Sequence, residues 1–335
     1  MIEVFRPLTA GIAALLMSVV SGMAEPRELK FSLFTPEHFW VYETVFVPFA
    51  NEVEKRTGGE LKITFYTGGA LGNATQQLQL VESGMADLTW FPTVYSRNRF
   101  PYSEAALLPF LFDNATGASA AMMSTMDQYL EAEFDTVKLI SIAVTSPSAL
   151  LTTRPVNSLA DLQGLNIRGS GGAQTKLLRM LGANVTSVSV DDNYLALQRG
   201  LLDGTIYPLA AAPGANLHEV IRYVNRLNFS ASPVAILANL EMWNSLTDEQ
   251  RDIILEAGRE ASVMMGQGYD AEDQIGLEKI LAAGGQETEL PLGELEQIKQ
   301  KGEELWDEWV EEMKAKRLDP EGFLTALQQA SDAAR

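Results

Sequence analysis

Cysteine is absent from this 335-residue chain, and histidine nearly so, with His38 and His218 the only two. The first absence excludes disulfide staples, thiol nucleophiles, CxxC redox motifs, thiolate zinc sites and a lipidated N-terminal cysteine. The second leaves little for metal ligation or general-base chemistry, and no HExxH, EF-hand loop or G-x-S-x-G elbow occurs. Positive charge is scarce: 25 Lys+Arg stand against 44 Asp+Glu, a net charge of −19. Such an excess repels phosphate backbones and anionic membrane surfaces and excludes nucleic acid as a partner. What is present is ordinary globular composition, 46% hydrophobic and 21% charged with 26 Gly and 14 Pro. At roughly 150 residues per domain the length predicts two domains, each with its own core.

The first segment reads as an address. Residues 8–20 form an uncharged apolar run behind Arg6, too short for the roughly 20 residues that span a bilayer. Gly22-Met23-Ala24 places small residues where a signal peptidase cleaves. Cleavage after Ala24 would release a periplasmic protein beginning Glu25.

Beyond it the pattern alternates. Strands are predicted over residues 29–34, 61–66 and 86–91, with a helix over 41–55 and a second one capped by Asn73. Such a β-α-β-α-β series favours a parallel sheet with helices on both faces. A second series follows, with strands over 139–144, 165–168, 185–190, 205–207 and 233–240. Between them lie a capping box at Ser158–Asp161, a helix over 173–181, another capped by Asp191-Asp192, and a third over 213–224. A further capping box, Thr247 to Gln250, opens a helix to about Met265, and the chain from Ala271 onward is helical and acidic, with Trp306 and Trp309 on one face. The fold class is α/β, with two lobes and a helical tail.

The most informative stretch is Arg168-Gly169-Ser170-Gly171-Gly172-Ala173-Gln174. A Gly-rich turn between strand and helix collects anions on its amides. Arg168 ends the strand, where open α/β sheets bind ligands, and its planar fork suits a carboxylate. The dinucleotide fingerprint fails at Gln174, and no GK[ST] follows for a Walker A loop. The local pattern leaves open whether Arg168 holds a ligand or pairs with a structural carboxylate. His38, in Thr35-Pro36-Glu37-His38-Phe39-Trp40, follows the first strand, where ligand contacts also gather. His218 reads as a structural side chain of its helix. No metal or cofactor is expected.

Several stretches, in order, resemble the solute receptors of tripartite ATP-independent periplasmic (TRAP) transporters, the DctP family. They are Thr57-Gly58-Gly59-Glu60-Leu61-Lys62-Ile63, Gly84-Met85-Ala86-Asp87-Leu88, Leu107-Leu108-Pro109-Phe110, and the run Ser158 to Arg168, SLADLQGLNIR. Leu181-Gly182-Ala183, Tyr194 to Gln198, Gly200 to Gly204 and Met242-Trp243 continue the series. The resemblance implies a two-lobed Venus-flytrap fold, with lobe I formed by residues 25–147 plus about 232–262 and lobe II by 148–231 plus about 263–335. It implies a periplasmic receptor, not an enzyme, that delivers a small organic acid to one large and one small membrane subunit. It implies that Arg168 makes a two-pronged salt bridge to the ligand carboxylate.

Two departures bear on the ligand. Many members have Asn where Tyr207 stands, and sialic-acid-type members carry an arginine where Ser148 stands. Both changes remove polar contacts, which favours a smaller or more apolar monocarboxylate, aromatic ones included. The expected ligand-binding set is Arg168, Tyr207, Trp90, His38, Trp40, Ser148 and Ser170. The readings that compete with transport are an exported α/β hydrolase or lyase, and a ligand-sensing domain for a signalling partner.

Overall fold

The computed structural model describes residues 25–333. The predicted address, residues 1–24, lies outside them. Strands and helices alternate through the first half: β1 (Arg27–Ser32), α1 (Val47–Arg56), β2 (Leu61–Tyr66), α2 (Gln77–Glu82), β3 (Leu88–Pro92), α3 (Ala115–Ser124) and β4 (Val137–Val144). There follow β5 (Ala149–Thr152), β6 (Asn166–Arg168), α4 (Gly172–Met180), β7 (Asn184–Thr186), α5 (Asn193–Gln198), β8 (Gly204–Tyr207) and β9 (Tyr223–Asn225). The chain closes with β10 (Pro233–Asn239), α6 (Leu240–Asn244), α7 (Asp248–Ala282), β11 (Gln286–Glu287), α8 (Leu292–Ala315) and α9 (Pro320–Ala333).

Two sheets result. The first has the order β2-β1-β3-β10-β4, with β1 parallel to β2 and β3, and β10 antiparallel to both its neighbours. The second has the order β11-β9-β5-β8-β6-β7 and is likewise mixed. The expected parallel sheet is therefore parallel only in its early β-α-β units. The antiparallel member, β10, arrives from a distant part of the chain, after all strands of the second sheet except β11.

The chain crosses between sheets through residues 145–148 and returns through 226–232. These segments bond to each other: Thr145 N–H donates to the Ser232 carbonyl (3.0 Å), Ser148 N–H to Ser230 (2.9 Å) and Phe229 N–H to Ser148 (3.2 Å). The third link is α7, whose 35 residues at 1.5 Å rise span about 50 Å. Its start is the predicted capping box, with Gln250 N–H donating to Thr247 Oγ1 (3.2 Å) and Thr247 N–H to Gln250 Oε1 (3.1 Å). It runs unbroken past Met265, because Tyr269, Leu277 and Ile280 continue its buried face.

Two carboxylates one turn apart tie α7 to both sides. Asp270 accepts from Ala115 N–H (2.7 Å), Thr116 N–H (2.9 Å) and the Thr116 hydroxyl (2.6 Å), holding the N-terminus of α3 to α7. Asp273 accepts from the Ser146 hydroxyl (2.6 Å) in the crossing segment and from Ala210 N–H (2.9 Å), just beyond β8. Burial pushes the Asp273 carboxyl above the usual carboxylate range. The C-terminal helices return: α8 packs on α4, and α9 packs on α3. Trp306 and Trp309 donate their indole N–H groups to the carbonyls of Pro109 and Pro101.

Three local expectations fail for identifiable reasons. Residues 213–224 hold only a single 3-10 turn at Leu217–Glu219, because Asn216 sits in the left-handed region (φ 55°) and ends any helix. Tyr223–Asn225 then pairs with β5 and β11, partners remote in sequence. Of residues 185–190 only the first two join a strand, as β7 stops at Thr186. Asp191 and Asp192 make no cap; Asp191 instead accepts from Ala74 N–H across to the first sheet's side (3.0 Å).

Close approach of α7 to its neighbours requires glycine at Gly276, where a Cβ would fall well inside contact with the backbone oxygen of Leu209. Gly→Ala ordinarily gains about 1 kcal/mol in a helix, whereas overpacking against backbone costs roughly 1–3 kcal/mol. The clash wins, so Gly276→Ala is expected to lower the melting temperature by several degrees. Gly293→Ala, at an exposed helix position with nothing within 4 Å, is the control and should leave it unchanged or slightly raised. Calorimetric scanning of both variants checks this, and equal melting temperatures would contradict it.

Candidate functional site

The carboxyl ends of β1, β3, β6 and β8 converge on a narrow cleft of about 80 Å³ between the two sheets. That is small beside the roughly 300–1,000 Å³ of drug-sized sites and favours a small ligand. Its walls are largely aromatic: Phe34, Phe39, Trp90, Tyr95, Tyr207 and Tyr269. Phe34 and Trp90 stack with centroids 5.0 Å apart and planes 7° from parallel. Among the residues lining this cleft the one charged side chain is Arg168.

Arg168 is 2% exposed. Ile167, fully buried, anchors β6 between β7 and β8, so the next residue emerges at the strand's end. The Arg168 Nε–H donates to the Val188 carbonyl (3.0 Å), which fixes the plane of the guanidinium. Its Nη1 and Nη2 reach only hydroxyls, Ser170 Oγ at 3.3 Å and Tyr95 Oη at 3.4 Å. Both are long for N–H···O bonds, which cluster near 2.9–3.0 Å. No carboxylate lies within salt-bridge distance of Arg168 among the described residues. A buried charge without an ionic partner costs several kcal/mol, and the geometry of the free fork could accept a carboxylate with two bonds.

Tyr207 stands beside Arg168 and is 8% exposed. Burial pushes its phenol well above the ordinary range, more than the neighbouring guanidinium pulls it down. It is therefore a neutral donor at any physiological pH. Trp90 and Ser170 also line the cleft. His38 does not: it is exposed, and its neighbour Phe39 takes the cleft position. Trp40 lies one layer behind, edge-on to Tyr269 at 5.0 Å, and supports the wall without forming it. Ser148 is buried in the crossing segment, its backbone spent on Ser230 and Phe229. His218 lines none of the cleft.

The Gly-rich turn is built differently from the expected anion cradle. Ser170 N–H already donates to Gln174 Oε1 (2.7 Å), and Gln174 Nε2 donates on to Ser230 Oγ (2.9 Å). The turn is thus tied to the hinge segment. Glycine at 172 serves close packing, since a Cβ there would meet Leu107 at 2.8 Å. Tyr95 is the principal residue missed by the sequence reading. It lies three residues past β3, at a strand's carboxyl end, and the rule that singled out Arg168 applies to it equally.

Three hydrogen bonds cross the cleft mouth. Val190 N–H donates to Tyr95 Oη (3.0 Å), Ala74 N–H to Asp191 Oδ2 (3.0 Å) and Arg97 Nη2 to Ser187 Oγ (2.8 Å). Each is worth about 1 kcal/mol, enough together to shift an open–closed balance tenfold or more. The double variant Arg97→Ala/Asp191→Ala is expected to show a larger radius of gyration by small-angle scattering. An unchanged radius would mean these bonds do not hold the lobes together.

Known proteins share this architecture. The family described as bacterial extracellular solute-binding protein, family 7 (DctP), matches residues 31–313. A marine metagenome TRAP solute-binding protein described as specific for aromatic acid ligands is similar at 27% identity, covering 92% of this chain and 99% of that one with a TM-score of 0.85. A TRAP solute-binding protein from Rhodoferax ferrireducens, solved with copurified benzoate, is 26% identical, covering 92% and 98% with a TM-score of 0.86. A solute-binding protein of Verminephrobacter eiseniae is 26% identical over 240 residues, 70% of this chain and 72% of its own. With a two-lobed fold and a family match over residues 31–313, this chain belongs to the DctP family of TRAP transporter solute-binding proteins.

Proposed function

We propose that this receptor captures a small aromatic monocarboxylate in the periplasm and hands it to the large and small TRAP membrane subunits. The observation that carries the reading is the buried, ionically unpartnered Arg168 facing a cleft walled by aromatic rings. One fixed positive charge matches one carboxylate; a dicarboxylate would leave its second charge buried and unpaired. Rings of Phe34, Trp90 and Tyr207 offer flat faces to a planar ligand. The solved relatives with aromatic acids and with benzoate support the same class.

Truncating one partner of a buried charge pair costs roughly 2–5 kcal/mol. Arg168→Ala is therefore expected to weaken binding of benzoate by roughly 30-fold to several thousand-fold. Arg168→Lys should recover only part, because an ammonium cannot make the bidentate contact. Arg168→Met, which keeps the stem and removes an unpaired buried charge, should leave the ligand-free melting temperature equal or higher while abolishing the ligand-induced shift. Calorimetry and thermal scanning with benzoate decide the matter. A folded Arg168→Ala protein with near-native affinity would place the carboxylate anchor elsewhere.

A further inference from the structure

We propose that Tyr95 is a second reader of the ligand's acid group: its phenol donates its proton to an oxygen of the carboxylate that Arg168 holds, so the charge is grasped from both sides of the cleft. The inference rests on the monocarboxylate reading above and deepens it by naming a further specificity-determining residue. Tyr95 stands three residues past β3 of the first sheet, whereas Arg168 ends β6 of the second and Val190 follows β7 of that sheet. The Tyr95 side chain lines the cleft and also the recess that continues from Arg168 toward Arg97 and Ser187.

A phenol has one proton to give and two lone pairs with which to accept. At Tyr95 both lone pairs are met by groups that can only donate, the Val190 N–H at 3.0 Å and Arg168 Nη2 at 3.4 Å. A backbone amide nitrogen offers no lone pair and a guanidinium stays charged, so neither can take the phenol's proton. Among the described residues no other group bonds the Tyr95 hydroxyl. Its proton is therefore left over, next to the nitrogen that the ligand carboxylate is proposed to meet. The Tyr207 hydroxyl also belongs to this end of the cleft, since both Arg168 and Tyr95 act electrostatically on it. It has no protein partner among the described residues and can turn as donor or acceptor, whereas Tyr95 is committed to donation. Guanidinium and phenol together thus present donors alone, the arrangement that an ionised acid completes.

The test must separate this donation from the Tyr95–Val190 bond, which Tyr95→Phe also removes. Val190 opens a 3-10 turn, and Ser189 before it is extended (φ −56°, ψ 150°), so proline fits at 190 and removes the amide proton. Titration calorimetry with benzoate compares Val190→Pro with Val190→Pro/Tyr95→Phe, both checked for folding by circular dichroism. The two share any change of packing at 190. Hydrogen bonds to charged groups are among the stronger ones, so the double variant is expected to bind roughly tenfold to hundredfold more weakly than the single. A crystal structure of the unaltered protein grown with benzoate needs no variant, and should place Tyr95 Oη about 2.5–2.7 Å from a carboxylate oxygen. Equal affinities in the two variants would overturn the inference and leave the monocarboxylate reading standing. So would a carboxylate seated on Arg168 with both its oxygens more than about 3.5 Å from Tyr95 Oη, water then being the phenol's acceptor. Benzoate that binds away from Arg168, or does not bind at all, would overturn that reading and this inference with it.

Discussion

Arg168, 2% exposed and with no carboxylate at salt-bridge distance among the described residues, is the constraint to which the rest of the cleft answers. The fold carries that cost by giving Arg168 one good backbone acceptor at Val188 and two long contacts to hydroxyls. This holds the fork in plane and leaves its outer edge uncommitted. In a chain of net charge −19 an anion gains nothing from long-range attraction. For the carboxylate proposed above, attraction would have to come from this one local charge in a desolvated place, where its interaction is strongest.

Topology supplies the place. Cleft residues stand at the carboxyl ends of strands in two separate sheets, so neither sheet alone makes the site. What sets the sheets face to face is the paired crossing segments and α7, pinned by Asp270 to α3 and by Asp273 to the far crossing. Gln174 joins the anchor's own turn to the returning segment through Ser230. The bonds Tyr95–Val190, Ala74–Asp191 and Arg97–Ser187 lie on the opposite rim, where closure brings the two sides together.

Local signals in the sequence carried far. β2 occupies the predicted residues 61–66, the capping boxes at Ser158 and Thr247 form as read, and Arg168 lies at the strand end inferred for it. What escaped was set by contacts remote in sequence. Nothing near Tyr223 announces that it pairs with Gln286, and nothing near Tyr269 shows that this turn of α7 faces a cleft. After β1, the sequence points to His38 for its place just past the strand and to Trp40 as an aromatic able to line a pocket. The structure uses Phe34, Thr35 and Phe39, because the chain turns at Pro36 and leaves His38 exposed. Family resemblance likewise marked Ser148 as a ligand position. Here the crossing segment consumes its backbone, and Thr145 and Ser232 line the cleft instead.

The claim that one carboxylate completes Arg168 is tested most directly by a crystal structure of the protein grown with benzoate. The account predicts both carboxylate oxygens at about 2.7–3.0 Å from Arg168 Nη1 and Nη2, with the ring lying against Trp90 and Tyr207. Benzoate bound with its carboxylate on other groups, and Arg168 still bonded only to Val188, Ser170 and Tyr95, would contradict it.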